Sequence, residues 1–455
     1  TPDAQALSLL ASRMRDAIEF SPLSRRTAIS VQVIDATSGA VLYERFPEYL
    51  MVPASIMKLY TSVAALAAWG ADHRFTTEVR SSVAPSNGLI AGDIYLVGGG
   101  DPTLSSSDLR ALARRMRSEL GITRISGGVH VDASRFANTL KGPGWMWDDD
   151  PDPYQMSVTA LMVDYNVLTV SVGSGTSVDS PAAVRYEPPS DWPPVMNEAT
   201  TAQQGRNLRI TREPFDDLIR VAGSATIGGQ AVRRQLTMHD PRPWIRGMFV
   251  AMLQAEGIDV GRPTAAPAAL RAPGASTLVL SHQGKPLGEI LGLFNKPSEN
   301  AIGEVLLLNL AHRSTSAPGT WQAGQNTMNS FLTETAGLTG STFRVADGSG
   351  LSRYNLVNAA GTVRLLQYAF QRPDRDVLLR ALPSGGEGTL GERMRQLRIH
   401  AKTGTMSGVT CLAGYIQASD GSWRIFAIHM NGFVGSSNPL RALQDELCRI
   451  IAQTP

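Results

Sequence analysis

The sequence predicts an α/β protein of the α+β kind: an antiparallel sheet flanked by helices, built from both ends of the chain and interrupted by a long β-rich insertion. Three observations carry this. Helical periodicity marks both ends of the chain, alternating runs of strand length lie just inside them, and the middle is dominated by short alternating runs and turn residues.

Taken in order, residues 3–20 read as an amphipathic helix with Leu7, Leu9, Leu10, Met14 and Ile18 as its apolar residues. Ala28 to Ile34 alternates, Asp35 to Gly39 turns, and Ala40 to Arg45 alternates again, which describes a hairpin. Pro53-Ala54-Ser55-Ile56-Met57-Lys58-Leu59-Tyr60 reads as a Pro-led helix start, with Leu59, Tyr60, Val63 and Leu66 at helical spacing and Trp69-Gly70 as the stop. The middle then runs through strands at Phe75–Arg80 and Ile90–Val97, a helix at Ser106–Leu120 and strands at Gly128–Val131 and Val167–Val172. From Glu187 to about Gln230 it is rich in Pro and Thr, and Ala265–Ala275 reads as the exit. Asn295 to Asn300 opens another helix, Ala301–Ala311, with Ser298 and Asn300 as a capping pair. His400–Thr405, Thr410–Gln417 and Trp423–Met430 are strands, and Pro439–Gln453 closes the chain as a helix. The expected division is an outer domain of 1–70 and 278–455, an inserted domain of 71–185 and 231–277, and a nested domain of 186–230.

With 455 residues, 43% of them hydrophobic, the chain can build two or three cores. A net charge of +2 supplies no field to draw in nucleic acid, and no basic-aromatic stripe is present. No apolar run reaches the roughly 18–20 residues of a membrane span. The absence of an initiator Met suggests a processed N-terminus, so the expectation is export after removal of a signal peptide not present in this chain, with loose membrane association left open. The two cysteines, Cys411 and Cys448, exclude a disulfide scaffold and a four-ligand zinc site. They could pair if the last helix lies on the strand after Lys402; two buried thiols are the simpler expectation.

Ser55 and Lys58 lie one helical turn apart, so hydroxyl and amine share a face. An unprotonated lysine beside a serine is one way to make it a nucleophile. S-x-x-K recurs by chance roughly once or twice in a chain of this length, so spacing alone is weak. Lysine usage sharpens the reading: of 42 basic residues only five are lysine, and 37 are arginine. Where the chain needs only charge it uses arginine, which cannot act as a base; Lys58 and Lys402 stand where lysine chemistry is wanted.

Ser55-x-x-Lys58, Ser298-x-Asn300 and Lys402-Thr403-Gly404, in that order, form the motif set of penicillin-binding proteins and serine β-lactamases. Over its whole length the chain resembles the low-molecular-mass class C penicillin-binding proteins, D-alanyl-D-alanine carboxypeptidase/endopeptidases of the cell envelope. The separation of 243 positions from Ser55 to Ser298 matches that family's long insertion, as do Gly100-Asp101-Pro102-Thr103-Leu104, Pro143-Gly144-Trp145 and Asp347-Gly348-Ser349-Gly350-Leu351-Ser352-Arg353. Glu299 stands where the family usually has Asp.

The resemblance implies a serine β-lactamase/transpeptidase-like fold and acyl transfer through a covalent serine ester, without metal or cofactor. Ser55 would attack the bond between two D-alanines, with Lys58 as base, its charge disfavoured by burial and by Lys402. Ser298 would pass the proton to the leaving nitrogen and Asn300 would bond the substrate amide and Lys58. Lys402, Thr403, Gly404 and Thr405 would hold the terminal carboxylate, and the N–H groups of Ser55 and Thr405 would form the oxyanion hole. Met406, Ser407, Arg353 and an acidic residue after Trp145 would line the stem-peptide pocket. Asp149 is the expected acid, with Asp148, Asp150 or a plain surface loop as alternatives, and Trp145-Met146-Trp147 as its apolar anchors. The implied partners are peptidoglycan stem peptides and β-lactams, and the implied location is periplasmic or otherwise extracytoplasmic. A serine β-lactamase, an esterase and a non-catalytic penicillin-sensing or wall-binding protein are the alternatives.

Overall fold

The computed structural model describes residues 4–262 and 271–454. A five-stranded antiparallel sheet runs in the order Val41–Arg45, Ala28–Asp35, Trp423–Asn431, Val409–Gln417, Ile399–Met406. Its seam joins the two ends of the chain, Ala28 facing Asn431 and Ile34 facing Ile425. Strands Val409–Gln417 and Trp423–Asn431 are buried almost throughout, because helices cover both faces of the sheet.

On one face Leu412, Ile416, Phe426, Ile428 and Met430 meet the terminal helices Ala4–Glu19 and Asn438–Gln453 through Leu10, Met14, Ile18, Leu443, Leu447 and Ile451. On the other, Cys411, Ala413, Tyr415, Ile425 and Ala427 pack with helices Met57–Trp69, Asn300–Thr315 and Ala359–Gln371. The last helix does lie on the strand after Lys402. Cys411 nevertheless faces the opposite side of the sheet from Cys448, and both are buried free thiols.

The helix carrying Lys58 begins later than its Pro-led sequence implied. Pro53 caps a short 3-10 turn, Ala54–Ile56, and the α-helix runs Met57–Trp69. Gly70, at φ +75°, ends it and donates its N–H to the Leu66 carbonyl at 2.9 Å. Every residue from Met57 to Leu66 is buried, and the polar ones are partnered: Tyr60 Oη lies 3.0 Å from Thr362 Oγ1, Thr61 Oγ1 donates to the Gly348 carbonyl at 2.7 Å and Ser62 Oγ accepts Asn295 Nδ2 at 2.9 Å.

The insertion has its own core and a four-stranded sheet ordered Thr277–Pro286, Arg74–Ser81, Ile94–Gly98, Val129–Asp132. Helix Ser106–Ser118 opens with a reciprocal Ser105–Asp108 capping box. Because Thr277–Pro286 pairs with Arg74–Ser81, the chain leaves this sheet after Pro286 rather than at 278. Part of the expected exit at Ala265–Ala275 lies outside the described residues. Ala183–Glu187 and Val232–Thr237 flank Val167–Gly173, and between them the chain forms a small sheet of Val195–Asn197, Ile219–Ala222 and Arg209–Arg212. Ile210, Ile219 and Val221 of that sheet share the insertion's core. Among the described residues no helix is long and apolar enough to cross a membrane.

Candidate active site

The short turn holding Ser55 and the helix that follows place the hydroxyl against the Lys58 amine. Lys58 Nζ donates to Ser55 Oγ at 2.9 Å, to Asn300 Oδ1 at 2.7 Å and to the Ser349 carbonyl at 2.8 Å. Three acceptors match three ammonium protons. When Lys58 is neutral, Asn300 and Ser349 still take its two N–H groups, so the lone pair is left facing the Ser55 hydroxyl.

Lys58 is completely buried, and burial pulls its pKa down to about 8, against the opposing pull of the Glu304, Asp347 and Glu299 carboxylates. The expected like-charge effect falls instead on Lys402. Its pKa is driven well below the usual lysine value by burial and then by the charge on Lys58. Lys402 Nζ donates to the Thr403 carbonyl at 2.8 Å, and the residue has no exposed surface.

Helix Asn300–Thr315 brings Asn300 to Lys58, and its cap corrects the sequence reading. The residue that caps it is Glu299, whose Oε1 accepts the Ala301 N–H at 3.2 Å, rather than the Ser298–Asn300 pair. Ser298 precedes it at φ +68°, and Ala54, beside Ser55, sits at φ +47°. Left-handed non-glycine residues cost about 1–3 kcal/mol each and persist where surrounding packing imposes them. Glu304, one turn into the same helix, is fully buried and pushed up to about 8 by burial and by Asp347. Its carboxylate accepts the N–H groups of Gly348 and Ser349, both at 2.9 Å, and so holds the carbonyl of Ser349 against Lys58. A lone Glu in the apolar run Ala301–Ala311 was the sequence signal for it; Ser349 acts through its backbone and left none.

The Lys402-Thr403-Gly404 segment lies on the edge strand Ile399–Met406, against the turn that carries Ser55. A Cβ at Gly404 would come within 2.5 Å of the Pro53 carbonyl and 3.1 Å of the Ser55 nitrogen, so only glycine lets strand and turn meet. Gly350 is held to glycine in the same way, at φ +88° against the Ala54 carbonyl. Thr403 donates its hydroxyl to Thr389 Oγ1 at 2.6 Å, Thr405 Oγ1 accepts from Arg441 at 3.2 Å, and Arg353 Nη2 donates to the Ser407 carbonyl at 2.8 Å. Thr405, Met406, Ser407 and Arg353 thus share the outer end of this strand; Thr389 and Arg441 were missed, being distant in sequence and outside every motif.

The loop after Pro143 reaches the site from the insertion. Trp145 donates its indole N–H to Asp347 Oδ2 at 3.0 Å and stacks edge-on to Trp321, whereas Met146 and Trp147 are exposed. Only the first of the three bulky residues anchors the loop. Asp149 accepts the Tyr154 hydroxyl at 2.6 Å, and the Tyr154 carbonyl accepts Asn300 Nδ2 at 2.9 Å. Asp150 is removed as an alternative, because it is buried between Lys141 at 2.9 Å and Arg212 at 2.7 Å. A cavity of about 600 Å³, lined by Tyr154, Asp164, Tyr165, Glu187, Ser298 and Asn300 among others, opens beside this contact. A groove of about 930 Å³ between the terminal helices holds none of the candidate residues.

Residues 12–454 match the D-Ala-D-Ala carboxypeptidase 3 (S13) family. The chain is 34% identical to a D-alanyl-D-alanine carboxypeptidase of an Actinomadura species, over 96% of this chain and 84% of that protein. It is 26% identical to the D-alanyl-D-alanine carboxypeptidase DacB of Haemophilus influenzae, over 84% of this chain and 81% of that protein. In fold it is similar to the crystal structure of penicillin binding protein 4 (dacB) from Haemophilus influenzae, with a TM-score of 0.81, 22% identity and coverage of 98% and 99% of the two chains. With the family matched over nearly its whole length, the chain belongs to the D-Ala-D-Ala carboxypeptidase 3 (S13) family of serine-type carboxypeptidases.

Proposed function

We propose that this chain hydrolyses the terminal D-Ala-D-Ala bond of peptidoglycan stem peptides, with Ser55 as nucleophile and Lys58 as its base. The observation that carries the reading is the Lys58 amine, buried and fixed between Ser55 Oγ, Asn300 Oδ1 and the Ser349 carbonyl. Neutral Lys58 takes the Ser55 proton as Oγ attacks the carbonyl, and the N–H groups of Ser55 and Thr405 receive the oxyanion. Losing one such donor typically costs about 3 kcal/mol. Ser298 relays the proton taken by Lys58 to the leaving nitrogen, D-alanine departs, and water then releases the acyl group from Ser55. Asn300 holds the substrate amide. Thr403 and Thr405 bind the C-terminal end, and Gly404 keeps the strand against the nucleophile. Met406, Ser407, Arg353 and Asp149 border the stem-peptide side chain.

The same nucleophile acylates with β-lactams, whose strained amide presents a carbonyl to Ser55 in the same place. One of the solved structures similar in fold is a complex of penicillin binding protein 4 from Haemophilus influenzae with a β-lactam. A substrate confined to the cell wall places the working enzyme outside the cytoplasm.

Incubation with a fluorescent penicillin and, separately, with a stem peptide ending in D-Ala-D-Ala tests the proposal. Stable labelling with release of D-alanine supports it; rapid drug turnover points to a β-lactamase. Neither labelling nor release would return the chain to a binding role.

A further inference from the structure

Lysine is the cation that the motif on the edge strand advertises, yet Lys402 is wholly buried and spends its hydrogen bond on the Thr403 carbonyl. Side chains alternate along a strand, so Thr403 and Thr405 point to the face opposite Lys402. On that face stands Arg441, in the first turn of the C-terminal helix Asn438–Gln453. Its Nη2 donates to Thr405 Oγ1 at 3.2 Å. Its backbone is fixed from both sides: the N–H donates to the Ser437 carbonyl at 2.9 Å, and the carbonyl accepts Arg393 Nη2, itself paired with Asp445 at 2.7 Å. Among the described residues no carboxylate lies within ion-pair distance of Arg441, although its neighbours Arg393 and Arg424 each have one.

We propose that Arg441, acting with the Thr405 hydroxyl, is the cation that selects substrates ending in a free α-carboxylate. The inference rests on the carboxypeptidase reading above and deepens it. Thr405 Oγ1 accepts from Arg441 and so keeps its own O–H for one carboxylate oxygen, while a remaining guanidinium N–H meets the other. A planar fork suits a two-oxygen acceptor better than an ammonium does. Lys402 is thereby left to the proton transfers around Ser55 and Lys58. Arg353 bonds the Ser407 carbonyl, two residues or roughly 7 Å further along the strand, which puts it nearer the stem side chain than the terminus.

The test compares two peptides that differ only in their last group, one ending in D-Ala-D-Ala and one in D-Ala-D-alaninamide, on wild type, Arg441→Gln, Arg441→Lys and Arg353→Gln, with melting temperatures alongside. In Arg441→Gln the ratio of kcat/KM for the acid over the amide should fall about tenfold to a hundredfold, the range for a charge-assisted hydrogen bond, mainly through KM. Arg441→Lys should recover part of that ratio, and Arg353→Gln should leave it within twofold. An unchanged ratio in Arg441→Gln, whether or not the melting temperature falls, overturns the assignment. A collapse in Arg353→Gln alone transfers the role to Arg353. Failure of the wild type to cleave either peptide would overturn the carboxypeptidase reading itself.

Discussion

The base role proposed for Lys58 rests on a fold that spends the amine's hydrogen-bonding capacity before the substrate arrives. Asn300 and Ser349 fix two N–H groups, and burial brings the pKa to about 8, where about a tenth of the amine is neutral at pH 7. The acylation rate should therefore rise with pH through a midpoint near 8 and then level off. The sign for stability follows from the same shift. The folded state releases this proton more readily than the unfolded chain, so Lys58 makes folding more favourable as pH rises from about 8 toward its unfolded value. Lys58→Arg keeps the charge and removes the base; penicillin acylation should fall by at least a hundredfold, and a near wild-type rate would sink the role of Lys58. Glu304 supports the charged form of Lys58, so Glu304→Gln should move the rate midpoint to lower pH, with some loss of melting temperature because the amide faces one backbone N–H donor-to-donor. An unshifted midpoint would leave Glu304 as a scaffold for Gly348 and Ser349 only. At this scale the contacts of Ser55, Lys58 and Asn300 were legible because the motifs that pair them are made of side chains. Ser349 was not, because it contributes a carbonyl that any residue carries.

The elements around the site show where periodicity succeeds and where it stops. The terminal helices were readable because each buries one face at helical spacing, and the strands Val409–Gln417 and Trp423–Asn431 because, buried on both faces, they form largely apolar runs of strand length. The start of the Ser55 helix was misplaced because Pro53 opens a 3-10 turn that the same sequence pattern permits. The acidic loop was the least legible: three successive aspartates look alike in sequence, but tertiary partners separate them. Asp150 is locked by Lys141 and Arg212, Asp149 holds Tyr154, and Asp148 is exposed. Since the Tyr154 carbonyl holds Asn300, this loop joins the insertion to the catalytic helix. Asp149→Asn should lower turnover of stem peptides bearing a side-chain amine by about tenfold and leave penicillin acylation within twofold, since the drug has no such amine. Equal losses on both substrates would make the loop a support for the fold, and no loss on either would make Asp149 ordinary surface.

At the scale of the molecule, one catalytic unit is assembled from the two ends of the chain across a large insertion. Ser55 and Lys58 arrive with the first segment, and Asn300, Ser349 and Lys402 with the last, so the site exists only once Ala28–Asp35 has paired with Trp423–Asn431. That split was visible in the sequence as strands and helices at both ends. The point of return was not, because Thr277–Pro286 carries no apolar alternation and only pairing assigns it to the insertion's sheet. Arg441 was likewise invisible, standing in the last helix and joined to Thr405 by the packing of that helix on the central sheet. All of these placements serve one claim, that Ser55 is a nucleophile activated inside this assembled site. Mass spectrometry of the intact protein after exposure to benzylpenicillin tests it most directly, with the modified peptide then sequenced. The account predicts one drug mass per chain, on Ser55, and none in a folded Ser55→Ala variant; an adduct on that variant, or no adduct on the wild type, would contradict it.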